Sequence, residues 1–94
     1  MQKNQNKNHK IATFISNNLE FPLEGVTDVP VVELKGNKEA FVHGCKAIVE
    51  YNPNYVIFDA NHYQIKVAGE RLTLNNFSFG CMSISGLITD INLC

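Results

Sequence analysis

Residues 63–74 read Tyr63-Gln64-Ile65-Lys66-Val67-Ala68-Gly69-Glu70-Arg71-Leu72-Thr73-Leu74, two period-two apolar runs with a glycine between them. Side chains on a strand alternate between faces, so runs of this kind specify a pleated sheet with one dry and one wet side. The same texture fills the chain outward to Pro30 and Leu93. Val31-Val32-Glu33-Leu34 stands on one flank and Met82-Ser83-Ile84-Ser85 on the other. Glycine or asparagine breaks it about every eight to ten residues, the spacing of short strands joined by tight turns.

The strands read as Val31–Lys35, Glu39–His43, Cys45–Tyr51, Tyr55–Phe58, His62–Val67, Arg71–Leu74, Phe77–Ser85 and Leu87–Leu93. Turns are expected at Gly36-Asn37, Asn52-Pro53-Asn54, Asp59-Ala60-Asn61, Gly69-Glu70, Asn75-Asn76 and Gly86, with Gly44-Cys45 a turn or a bulge. That makes about eight short strands with no room for crossover helices, so neighbours should pair antiparallel as a meander. One modest core then requires the sheet to curl into a small barrel or fold into a sandwich. An irregular β-roll is the alternative, because apolar-x-Gly recurs at Gly36, Gly69 and Gly86, though at unequal spacing.

Before the sheet, residues 1–8 are rich in Asn, Lys and Gln and are expected to be a disordered tail. Residues 9–20 are expected to form a short amphipathic helix, since Ile11, Phe14, Ile15 and Leu19 fall on one helical stripe. Alone such a helix is marginal in water, so it must dock on its own sheet or on a partner. Residues 21–30, with two prolines and a glycine, read as a connector to a β domain over 31–94.

The 94 residues suffice for one domain, and 45% apolar with 18% charged residues describes an ordinary soluble globule. A net charge of -1 lacks the basic field expected of a nucleic-acid binder. No stretch reaches the roughly 18 uninterrupted apolar residues of a membrane span, so the expected location is cytoplasmic. Any membrane contact would then be peripheral.

Little in the chain nominates chemistry. Cys45, Cys81 and Cys94 are odd in number and widely spaced, unlike a disulfide framework or zinc site. They read either as a reactive or intermolecular thiol, or as two small core residues and a terminus. His9, His43 and His62 show no ligand spacing, and the carboxylates are dispersed. No nucleophile elbow, phosphate loop or dinucleotide fingerprint is present. The expectation is a non-enzyme without metal or cofactor. Tyr51, Tyr55 and Tyr63 cluster around one hairpin and would be the platform for a glycan or nucleotide, or else cross-strand packing pairs.

Taken in order, four stretches resemble the YabP/YqfC family of sporulation proteins, and most closely its YqfC branch. They are Pro30-Val31-Val32-Glu33-Leu34-Lys35-Gly36-Asn37-Lys38-Glu39, Cys45–Tyr51, Ile65–Leu74 and Met82–Ile91. The similarity covers about three quarters of the chain, from Leu23 to Leu93. The opening stretch is its most distinctive part, and the Asn/Lys-rich tail, Gly44-Cys45 and Phe77-Ser78-Phe79 depart from it. The resemblance implies a non-enzymatic protein of endospore-forming bacteria, made in the mother cell and partnered with a membrane protein of the same programme. A partner would bind at an exposed strand edge or on the stripe Ile11, Phe14, Ile15 and Leu19. A self-assembling scaffold is a further reading, because Gly/Ser-rich strands with few lysines guard their edges poorly.

Overall fold

The computed structural model describes residues 20–27, 29–78 and 80–94. Seven strands follow in order: β1 (Phe21–Pro22), β2 (Val31–Lys35), β3 (Glu39–His43), β4 (Ala47–Asn52), β5 (Tyr55–Asp59), β6 (Gln64–Ser78) and β7 (Cys81–Leu93). All pairings are antiparallel, in one sheet of order β1-β4-β5-β6-β7-β3-β2. Among the described residues there is no helix. The helix expected over 9–20 lies outside them except for Glu20.

The turns at Gly36-Asn37 and Asn52-Pro53-Asn54 form as read. The Asn52 side-chain oxygen accepts the Asn54 and Tyr55 amides at 2.8 and 3.0 Å, which closes the β4–β5 hairpin. Asp59 does the same for the Asn61 amide at 2.8 Å, where the chain turns from β5 toward β6.

The turns expected at Gly69-Glu70, Asn75-Asn76 and Gly86 are not chain reversals. Arg71–Leu74 merges with the run before it into the 15-residue β6, and Leu87–Leu93 becomes the second half of β7. The expected strand Phe77–Ser85 is instead cut, because the chain reverses between Ser78 and Cys81. A straight 15-residue strand would run about 50 Å at about 3.3 Å per residue, beyond the 34 Å longest extent of the molecule. β6 therefore bends.

Bulges supply the bend. From Glu70 to Thr73 the β6 side advances three residues while β7 moves only from Leu87 to Ser85. That extra residue flips the alternation: Ile65 and Val67 face the core before it, Leu72 and Leu74 after it. Arg71 adopts a left-handed φ of 53° within the bulge. Gly69 is needed for close approach, since a Cβ there would sit 1.9 Å from the Leu87 carbonyl oxygen. A break in period two therefore keeps one continuous strand facing one core.

The bent sheet gathers Ala40, Val42, Ile48, Val56, Phe58, Ile65, Val67, Leu74 and Ile84, among others, into a single buried cluster. It does not close. The strand order ends at β1 and β2, which do not pair with each other, so the expected barrel or sandwich is replaced by one open, curled sheet. The β-roll alternative fails too, because the recurring glycines mark bulges and one hairpin tip rather than stacked turns.

The connector is tied down at both ends. Phe21-Pro22 pairs with Ala47-Ile48 as β1, and then the Leu23 amide donates to Lys46 O at 2.9 Å and the Thr27 amide to Gly44 O at 3.1 Å. The segment thus runs beside the β3–β4 corner and delivers the chain to β2.

Candidate interaction surface

Among the described residues β2 is the outermost strand at one end of the sheet and pairs only with β3, from Val31↔His43 to Lys35↔Glu39. The direction of its backbone groups follows from its neighbour. Gly44 donates to Gly80 O at 3.4 Å and Lys38 O accepts from Gly86 at 3.1 Å, so even-numbered residues along β3 direct their amides and carbonyls toward β7. Backbone groups alternate sides along a strand. Glu39, Phe41 and His43 therefore turn theirs to β2 and satisfy Lys35, Glu33 and Val31. The amides and carbonyls of Val32 and Leu34 point away, off the edge of the sheet.

The side chains on this edge are also uncovered. Val31 is 49% exposed and Leu34 53%, high for residues of this size. Val32 and Leu34 share the core-side face, and Val32 packs partly against the cluster. Leu34 instead walls an open groove of about 190 Å³, whose other lining includes Asn37, Ile88 and Ile91. The β2–β3 tip is pinned above β7 by the Ile88 amide, which donates to Asn37 O at 2.7 Å. On the opposite face Lys35 lies over the Phe41 ring, 5.4 Å from its centroid.

The tyrosines do not make one platform. Tyr51 lies opposite Val56 on the core side, packs against the cluster, and its hydroxyl accepts the Leu74 amide at 3.2 Å. Tyr55 lies on the other face, where its hydroxyl donates to Glu50 and Lys66 stands 4.7 Å from its ring centroid. Bonding to the Glu50 carboxylate favours the neutral phenol and raises the Tyr55 pKa. Tyr63 is exposed in the turn before β6. Two of the three rings thus lie on opposite faces of the sheet. The stripe Ile11, Phe14, Ile15 and Leu19 lies outside the described residues.

Among the described residues no three His, Cys, Asp or Glu side chains converge as a metal site. His43 and His62 are exposed. The thiols behave differently from one another: Cys94 is exposed, Cys81 half-buried, and Cys45 fully buried in the core. Burial, with the Asp59 charge second, pushes the Cys45 thiol up from 9.0 to about 11. Burial and then Glu33 also raise Cys81. Cys45 is a core residue by its place in the buried cluster, and a thiol held protonated there is a poor nucleophile.

The folded protein keeps the Cys45 proton to higher pH than the unfolded chain does. This contribution to stability is therefore intact below about pH 9 and is lost as pH rises toward 11. Urea midpoints followed from about pH 8 to about pH 11 should fall, and in a Cys45→Ala variant, less stable at the start, they should fall less steeply. Parallel curves for the two proteins would remove Cys45 as the cause.

A profile of the YabP family matches residues 27–93, from the end of the connector through β7. The chain belongs to the YabP family. The match takes in β2 to β7, so the bent β6–β7 pair and the open β2 edge both lie within the family's shared unit. Membership is consistent with a sporulation-related protein. No curated protein and no solved structure matches the chain. Among the described residues no helix is long and apolar enough to cross a membrane.

Nothing in the sequence marks Leu34 as a site by itself. A signal was present: Val31-Val32-Glu33-Leu34 carries apolar residues on both phases, more than a strand with one covered face requires.

Proposed function

We propose that this YabP-family protein is a non-enzymatic component of the sporulation programme, of the YqfC branch, acting in the mother cell. It works as an interaction module that recruits a membrane-bound protein of the same programme, and it is held peripherally at the membrane by that partner. The family match over residues 27–93 carries this reading. The stretches from Pro30 to Glu39 and from Met82 to Ile91 support the branch assignment.

The partner's docking element is the stripe Ile11, Phe14, Ile15 and Leu19, an apolar face that a short helix must cover to persist. Deleting residues 1–20, or substituting Phe14→Ala, should cut recovery of the membrane partner in pull-downs from sporulating cells. Circular dichroism should show the β signal unchanged. Full recovery of the partner with both variants removes the stripe from the mechanism. Ligand binding through Tyr51, Tyr55 and Tyr63 is not favoured, because Tyr51 and Tyr55 occupy opposite faces.

A further inference from the structure

We propose that the outer edge of β2, unpaired among the described residues, is a self-recognition edge, on which two copies of this chain pair their β2 strands antiparallel about Leu34. The proposal stands independently of the membrane partner, since it uses a different part of the chain.

The two ends of the sheet differ in a way that singles out β2. β1 has two residues, and one of them, Pro22, has no amide to donate. β2 has five residues in regular register, and Val32 and Leu34 direct their amides and carbonyls off the sheet. An edge of this kind is a template for another strand unless something blocks it.

Charge then selects both the occupant and the register. In symmetric antiparallel pairing, residues facing each other have the same backbone orientation, so the two-fold axis passes through one residue and its copy. Centred on Glu33, the pairing sets carboxylate against carboxylate. Centred on Val32, it sets Val31 against Glu33 and Leu34 against Pro30. Centred on Leu34, it sets Glu33 of each copy opposite Lys35 of the other, giving two opposite-charge cross-strand pairs. Leu34 is also one of the two residues whose backbone groups point outward, so the two copies of it exchange a pair of main-chain hydrogen bonds.

The same register explains the exposure of Leu34. Directly opposed residues on one face have Cβ atoms about 4.5–5.5 Å apart. Leu34, which walls the open groove beside Ile88 and Ile91, would meet its own copy there and lose its exposure. Charges on an edge strand normally deter pairing. Here the order Glu33-Leu34-Lys35 makes them complementary to a second copy.

The test is sedimentation equilibrium of the full chain from about 10 µM to about 1 mM, the range suited to a small, weak interface. The wild type should show a monomer–dimer equilibrium. Glu33→Lys and Lys35→Glu each place like charges at both pairs and should raise the dissociation constant about tenfold or more. Mixing the two variants sets lysine against glutamate at every pair again and should restore association as a heterodimer. Lys35 also faces Glu39 within its own hairpin, so Glu33→Lys, tested with circular dichroism, is the cleaner single variant. A monomer across the whole range overturns the proposal. So does a dimer that ignores both substitutions, whether residues 1–19 or another face holds it, and so does failure of the mixture to associate better than either variant alone.

Discussion

Gly69→Ala is expected to lower the melting temperature by about 15 °C, a cost of about 3 kcal/mol for a domain of this size. The added methyl would fall 1.9 Å from the Leu87 carbonyl oxygen, 2.9 Å from its carbon and 3.0 Å from the Ile88 Cα. All three are backbone atoms of β7, so no rotamer change relieves the contact. On its other side the Gly69 amide is held by Asn54 O at 2.8 Å, which opposes movement of β6. Relief therefore means separating β6 from β7 where both strands bend. Gly36→Ala is the control, with nothing within 4 Å of its Cβ and only a left-handed φ of +59° to pay about 1 kcal/mol for. Thermal unfolding followed by circular dichroism compares them. A loss for Gly69→Ala no greater than for Gly36→Ala would show that the β6–β7 approach relaxes freely.

Gly69 also marks the limit of what the sequence discloses. Strand interiors were legible because alternation is local: Ala40 and Val42, Val56 and Phe58, Leu72 and Leu74 are buried as their phase predicts. Turns built by side-chain chemistry were legible for the same reason, as at Asn52 and Asp59. A glycine after Val67-Ala68 is ambiguous, because a turn and a bulge both need a residue without a Cβ. The choice depends on what lies across the strand, here the Leu87 carbonyl, and that contact is long-range. The phase shift from Ile65 and Val67 to Leu72 and Leu74 was in the sequence, and it distinguishes a bulge that continues one strand from a free turn. Closure was illegible for a related reason, since barrel and open sheet share every local pairing and differ only at β1 and β2.

The surface was legible only in part. Tyr51, Tyr55 and Tyr63 lie near one another along the chain, yet Tyr51 and Tyr55 sit on different strands whose pairing, not their spacing, decides which face each takes. The β4–β5 register then sets Tyr51 against Val56 and Tyr55 against Asn52. Edge position has no sequence signature of its own. It emerges from topology, and only then do Val31 and Leu34 become exposed apolar residues and Glu33 and Lys35 a charge pattern.

Phe58→Ala is expected to cost about 3–5 kcal/mol, the range for removing a buried aromatic ring from a packed core. Phe58 is the largest side chain among the fully buried residues. It stands opposite Ile48 on β4 and Ile65 on β6, both buried, so the ring is walled on two sides by neighbouring strands. Neither strand can close the gap by sliding, because a one-residue slip would turn Tyr55, Ile57 and Asp59 inward in place of Val56 and Phe58. Small domains hold only about 5–15 kcal/mol in total, so the variant should lose about a fifth or more of its stability. In urea this appears as a lower midpoint at unchanged slope, the mark of a cavity in an otherwise intact fold. A cost near 1 kcal/mol would mean that β4 and β6 collapse onto the space the ring leaves.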